Sequence, residues 1–498
     1  LQCEMPLRSA LLILLLGCLL NQHVLSTALD DFVNSPDPNY AYSLHSVIEG
    51  DFPYTAYNLE LISTSWLTAN DSSRPIWKHW LVVCVPDEVK TNYGFLYIND
   101  GTNPQVDNNE PDGTLDPLQE ILCLSSGTVV SELHQIPNEP ITYPADPTHK
   151  SRTEDAMIAF TWKHFLDDPS EPNWLARFPM TKASVRAMDA IQDFIGNFPN
   201  VPNVEKFVVA GASKRGWTTW TTGAVDNKRV VAIVPIVMPI GHMQPNLMHQ
   251  FEAYDGWSFA LDDYLAENVT TFLNKPEFLL MGDQIDPMTY NDRYENMPIY
   301  AVASCGDEFF LPDSANFFWN DLKGEKHLRM VPDAEHSLTG HQIDVTLAIE
   351  TFYHTIIHDL PRPVVTWTNW TSADGLVCNI TLTVSGKLRP SHVKMWHARN
   401  EHKRDFRLVV CDQLNNPNCL NPIFWLKDEV EGIPLSDGSV AYSAIMHKPA
   451  QGWSAFFLEA DFYYDDILPP LKLGNFKVST DVQVVPMEMP YPPCTDNC

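Results

Sequence analysis

Lys206-Phe-Val-Val-Ala-Gly211-Ala212-Ser213-Lys214-Arg215-Gly216-Trp217 runs from a β-branched apolar stretch into a Gly-x-Ser turn, then into a helix carrying Thr218, Thr219 and Trp220. That is the context in which a serine is held up at the start of a helix as a nucleophile. Gly211 and Gly216 suit a strained turn where strand and helix approach closely. The spacing is G-x-S-x-x-G, one residue longer than the commoner G-x-S-x-G. An ordinary capped helix start is the competing reading until partners for the serine are found.

A serine hydroxyl needs a base, and the base an orienting carboxylate; in folds of this kind the chain order is Ser, acid, His. The stretch Ile299–Ser304 reads as a strand and leads into Cys305-Gly306-Asp307-Glu308-Phe309-Phe310, so Asp307 falls just past a strand end. The stretch His327–Val331 reads as the next strand, and Pro332-Asp333-Ala334-Glu335-His336 follows it. Ser213, Asp307 and His336 are therefore the candidate catalytic set, gathered at the carboxyl ends of strands. Asp283, Asp286 and Glu308 compete for the acid, and His242, His249 and His341 for the base.

Acyl transfer also needs donors for an oxyanion. The backbone N–H of Lys214 is one candidate, and Gly101 or Thr102, in the loop after the strand Gly94–Ile98, supplies the other. The Lys214 and Arg215 charges oppose the helix dipole, so they need an anion, either a substrate group or local carboxylates. Arg215, Trp217 and Trp257 are candidate substrate-binding residues, the last within an aromatic insertion at about 241–271. Plain packing on the domain is the competing reading of that insertion.

Around these motifs, residues from about 77 to 360 alternate strand-like and helical segments, the pattern of a mainly parallel sheet covered on both faces. Trp80–Val85, Ala156–Thr161 and Val230–Val237 are read as further strands, and Thr181 as the cap of a helix through Val185, Met188, Ile191 and Phe194. After Pro361-Arg362-Pro363 the texture becomes short alternating strands, Arg407–Val410 among them, as in an antiparallel β-sandwich. The expected organisation is α/β with a C-terminal antiparallel β-sandwich-like domain: 1–28 a signal peptide, 29–360 the catalytic body, 361–485 the sandwich, and 486–498 a Pro/Cys-rich tail.

The start of the chain carries the secretion signal. Met5-Pro-Leu-Arg precedes the apolar run Ala10–Leu20, and Ser26-Thr-Ala28 supplies the small residues of a cleavage site. Met5 is read as the initiator and the mature protein as beginning near Leu29. No later stretch reaches the roughly 18 apolar residues of a membrane span. Sequons at Asn70, Asn268, Asn369 and Asn379 are candidate glycosylation sites. Setting aside Cys3 and Cys18 leaves eight cysteines, three before residue 360 and five after it. Either a bridge crosses between the halves or each half keeps a free thiol, with Cys411 and Cys419 spaced to staple a hairpin.

Among the 498 residues, 63 Asp+Glu against 32 Lys+Arg give a formal charge of −31, which argues against nucleic acid as a partner. Neither C-x-x-C…C-x-x-C nor H-E-x-x-H spacing is present, so no metal site is expected, and no cofactor is implied.

Gly211–Trp220, Asp255-Gly-Trp-Ser-Phe-Ala260, Gly306–Phe310, Val331–His336 and Arg404-Asp-Phe-Arg407 together resemble the PhoPQ-activated pathogenicity-related protein family, over about Leu29 to Lys477. The resemblance implies an α/β-hydrolase fold with Ser213, Asp307 and His336 at its triad positions. Two functions are open. One is a secreted serine hydrolase acting on an ester or amide of a small molecule, glycan or peptide. The other is a secreted signalling or binding protein on a hydrolase scaffold, with a cell-surface receptor as partner.

Overall fold

The computed structural model describes residues 26–49, 53–103, 115–412, 416, 419–464 and 476–495. The signal stretch before residue 26 lies outside them. The body is built on β1 (Ala41–Glu49), β2 (Tyr54–Ser65), β3 (Ile76–Pro86), β4 (Tyr93–Ile98), β5 (Val129–Leu133), β6 (Lys206–Ala212), β7 (Val230–Ile236), β8 (Ile299–Ser304) and β9 (Lys326–Val331). Their spatial order is β1-β2-β3-β5-β4-β6-β7-β8-β9. Pairing is antiparallel from β1 to β5 and parallel from β5 to β9. The crossing of β4 and β5, the antiparallel β3 and the parallel run beyond them make an α/β-hydrolase sheet.

The sheet is covered on both faces, and β6 shows why its sequence reads as continuously apolar. Phe207 and Val209 enter one core while Val208 and Ala210 enter the other. Burying each of the larger side chains contributes about 1.5–3 kcal/mol. The flanking helices are α1 (Ala28–Asn34), α2 (Pro117–Ser126), α3 (Glu154–Asp167), α4 (Arg177–Ile195), α5 (Lys214–Val225), α6 (Met243–Tyr254), α7 (Asp262–Ala266), α8 (Pro276–Ile285) and α9 (Gln342–Ile357).

Several local expectations are corrected. Ala156–Thr161 is not a strand but the centre of α3; Glu154 and Asp155 open its first turn, and Met157, Thr161 and Phe165 are buried at helical spacing. A short apolar run does not by itself separate the two states. Thr181 is not a cap: α4 begins four residues earlier, at Arg177, with Pro179 in a first turn whose N–H groups lack helical acceptors anyway. Arg407–Val410 contributes one isolated bridge, Val409 to Leu420, rather than a strand.

The C-terminal region is built differently from a free-standing appendage. β12 (His392–Asn400), β13 (Leu426–Glu429), β16 (Trp453–Phe462) and β17 (Phe476–Ser479) continue the central sheet, joined through the pairing of Ser479 with Leu328 in β9. β10 (Val364–Thr371), β11 (Val377–Ser385), β14 (Ile433–Pro434) and β15 (Val440–His447) form a separate four-stranded antiparallel sheet. Its Cys378, Ile380, Leu382 and Val384 share a core with Phe456, Leu458 and Ala460 of β16. Disulfides join Cys84 to Cys123 and Cys411 to Cys419. Cys305 and Cys378 are free and buried, so each half of the chain keeps one thiol. Among the described residues no helix is long and apolar enough to cross a membrane.

Candidate active site

Ser213 stands between β6 and α5 at φ 56°, ψ −128°, a conformation that costs a non-glycine residue on the order of 1–3 kcal/mol. Its neighbours enforce it. A Cβ on Gly211 would lie 2.8 Å from the Arg215 carbonyl oxygen, and one on Gly216 would lie 2.9 Å from that of Ile236. Only glycine lets strand and helix approach this closely. Ser213 N–H donates to the Ile236 carbonyl at 2.8 Å, tying the turn to β7.

The loops after β8 and β9 bring the other two residues to the serine. His336 Nε2 is 2.7 Å from Ser213 Oγ, and Nδ1 is 2.8 and 2.9 Å from the two Asp307 carboxylate oxygens. Asp307 is held in turn: it accepts from Phe309 N–H at 2.7 Å, Phe310 N–H at 3.2 Å and Ser304 Oγ at 3.2 Å. Phe309 packs on the imidazole with ring centroids 4.4 Å apart. Burial opposes charge on His336, but the Asp307 charge and hydrogen bond, with Glu308, outweigh it and raise the pKa above its ordinary value. Glu308 accepts His336 N–H at 3.1 Å, and burial beside Asp307 pushes its carboxyl up to about 7.

The competing residues are committed elsewhere. Asp286 accepts the N–H groups of Met243 and Met288, and Asp283 is exposed. His242 faces Asp321, His249 faces Asp313, and His341 faces the Asp333 carbonyl.

Two spaces adjoin the serine. A hollow is lined by residues that include Asn99, Asp100, Ser213, Arg215, His336 and Ser337. Lys214 N–H opens α5 and has no helical acceptor. Gly101 and Thr102 are not in the hollow's lining, which takes Asn99 and Asp100 from the same loop; Asp100 N–H is bound to Asn99 Oδ1 at 2.8 Å. Asn99 also donates to buried Glu132, whose carboxyl burial pushes up to about 7. The second space is an apolar cavity whose walls include Trp162, Trp217, Trp257, Met238, Leu247 and Phe309. Trp217 is anchored by donation to the Ile285 carbonyl at 2.6 Å.

Of the two anion sources considered for Lys214 and Arg215, local carboxylates are present. Lys214 Nζ lies 2.6 Å from Glu154 and 3.0 Å from Asp155. Arg215 Nη1 donates to Glu154 at 2.8 Å and Nε to the Ile136 carbonyl at 2.5 Å. Arg215 thus borders the hollow with its guanidinium already engaged. Asn70, Asn268 and Asn369 are exposed and Asn379 is half-buried; the Asn369 amide donates to Asp481 and that of Asn379 to Ser443. Among the described residues no cluster of His, Cys, Asp or Glu is arranged to hold a metal ion.

The sequence reading missed Glu154, Asp155, Arg177 and Glu132. Only the acidic pair at the start of α3 leaves a local signal, since acidic residues favour a first helical turn.

The chain is similar to several known proteins. A family model described as PhoPQ-activated pathogenicity-related protein matches residues 29–407. The chain is 48% identical over 501 residues to autocrine proliferation repressor protein A of Dictyostelium discoideum, covering 98% of this chain and 96% of that one. Among solved structures, acetyl xylan esterase 1 from Thermoanaerobacterium sp. aligns at TM-score 0.44 and 14% identity, over 70% of this chain and 98% of that one. The glucuronoyl esterase from Solibacter usitatus aligns at TM-score 0.37 and 14% identity, over 64% and 87%.

Proposed function

The chain belongs to the PhoPQ-activated pathogenicity-related protein family, and from that premise we propose that it is a secreted serine hydrolase cleaving an ester or amide. The observation that carries the reading is the unbroken hydrogen-bond series from Ser213 Oγ through His336 to Asp307. In this reading Ser213 attacks the carbonyl while His336 Nε2 takes its proton. Asp307 holds the Nδ1–H tautomer and stabilises the imidazolium, and Lys214 N–H receives the oxyanion. His336 then gives the proton to the leaving group, and water attacks the acyl-enzyme by the same base. The apolar cavity bounded by Trp217 and Trp257 receives one side of the substrate, a small-molecule, glycan or peptide derivative. Secretion is read from the leader of residues 1–28 and fits the disulfides Cys84–Cys123 and Cys411–Cys419, with glycans on Asn70, Asn268, Asn369 and Asn379.

Hydrolysis of p-nitrophenyl acetate by the purified protein tests this reading. Turnover that falls by about 10³-fold or more in folded Ser213→Ala supports it. Turnover unchanged by that substitution contradicts it.

A second reading rests on the 48% identity to a protein named for repressing proliferation: the chain is a secreted growth-control signal. If Ser213→Ala retains growth repression in full, signalling does not use the hydrolase site.

A further inference from the structure

Among the described residues six arginines are buried: Arg152, Arg177, Arg215, Arg329, Arg404 and Arg407. Five have a carboxylate partner, in Asp146, Glu154, Asp344, Asp313 and Asp405 respectively. Arg177 has no ion-pair partner among the described residues, although it is 2% exposed. Its Nη1 donates to the Lys214 carbonyl and, at 2.9 Å, to Thr218 Oγ1; its Nε has no partner. The guanidinium lies over the Trp217 ring, 4.7 Å from the centroid, which offsets part of the cost of burying an unpaired charge but supplies no anion. Burial brings its pKa down to about 9, against the opposing pull of Tyr264 and of the Asp155 carboxylate nearby.

Arg177 lines the apolar cavity that also reaches Ser213. It opens α4 and bonds the first residue of α5, so helix N-termini reinforce the positive potential there. Asp155, the acidic residue in the same lining, is already engaged, by Lys214 Nζ at 3.0 Å and Tyr264 OH at 2.9 Å. The cavity therefore has a charged end, a hydrocarbon wall and a nucleophile.

We propose that Arg177 anchors a carboxylate-binding subsite, and that the substrates are esters or amides whose short acyl chain ends in a free carboxylate. This rests on Ser213 being the nucleophile. Arg177 grips the carbonyl of Lys214, the residue next to Ser213, and Arg177 and Ser213 line the one cavity, so the carboxylate and the reacting carbonyl are held by neighbouring groups. The cavity is confined, with a volume of about 60 Å³, so the acyl chain it admits is short. In the reaction the Ser213 Oγ–acyl bond forms as the carbonyl–alkoxy bond breaks, and the alcohol leaves with the proton from His336. Water then cleaves the acyl-enzyme, releasing the dicarboxylate and regenerating Ser213. The carboxylate stays on Arg177 throughout.

The test compares monoethyl succinate with ethyl butyrate, acyl chains of equal carbon number differing in the terminal charge, by pH-stat assay. Wild type is expected to favour monoethyl succinate in kcat/KM by about tenfold or more, and Arg177→Met to bring the ratio of the two kcat/KM values to about one. Binding is read separately in Ser213→Ala, where monoethyl succinate should change the fluorescence of the cavity tryptophans and ethyl butyrate at equal concentration should not. Faster cleavage of ethyl butyrate by wild type would overturn the subsite and leave the hydrolase reading standing. Charge-dependent binding to Ser213→Ala in a protein that cleaves neither ester would keep Arg177 as a carboxylate site and overturn the substrate class proposed for it. Absence of both preference and binding would overturn the subsite without any need for the Arg177 variant to fold.

Discussion

Leu408 donates its backbone N–H to the Gly306 carbonyl at 2.9 Å, so a segment from the C-terminal region fastens the turn that presents Asp307. Buried Arg404 pairs with Asp313 beyond the same turn. The strand continuation across β9 and this clasp make the C-terminal region part of the site's framework.

Arg404→Ala leaves the Asp313 carboxylate buried without its guanidinium, facing His249. Breaking a buried pair of this kind costs about 3–5 kcal/mol. Thermal and urea unfolding should show that loss, with hydrolysis falling in parallel; wild-type stability in the variant would refute the clasp.

The proposed mechanism needs His336 neutral, while its neighbours favour the charged form and raise its pKa above the ordinary 6.5. The kcat/KM profile should therefore climb with pH through a midpoint above 6.5. The stability contribution runs the other way: because the folded pKa is raised, it is fully present below the unfolded value and lost as pH rises through the folded one. Glu308→Gln removes one charge that supports the imidazolium, so the ascending limb should move to lower pH with activity retained. A limb that stays in place would show that Glu308 does not act on His336.

Gly216→Ala places a Cβ against the Ile236 and Gly211 carbonyl oxygens, at 2.9 and 3.0 Å. Backbone must shift to admit it, at a cost of about 1–3 kcal/mol. The expected result is a lower Tm together with loss of hydrolysis, because the displaced turn carries Ser213. An active variant of unchanged Tm would contradict the geometry described for the turn.

The Cys84–Cys123 bridge closes a separation of 39 residues. Replacing both cysteines with serine should cost about 4 kcal/mol through the freed unfolded chain. Denaturant unfolding measures this directly, and a loss well under 1 kcal/mol would mean the loop is constrained by its packing alone.

How far the sequence could be read followed from how local each feature is. Ser213, Asp307 and His336 were legible because each sits in a short segment where an apolar strand ends, and the strand order brings such ends together. Arg177 was not, since nothing in its neighbours shows that carboxylates avoid it. The helix at Glu154–Asp167 was hidden by an apolar run that either secondary structure accommodates. The joining of β17 to β9 depends on residues 151 positions apart, Ser479 and Leu328, and no local pattern encodes such a pairing.

The most direct test of the central claim is reaction of the purified protein with a fluorophosphonate, followed by peptide mapping by mass spectrometry. The account predicts one adduct per chain, on Ser213, absent from Ser213→Ala and from a folded His336→Ala variant. A folded wild type that forms no adduct, or forms it on another serine, would contradict it.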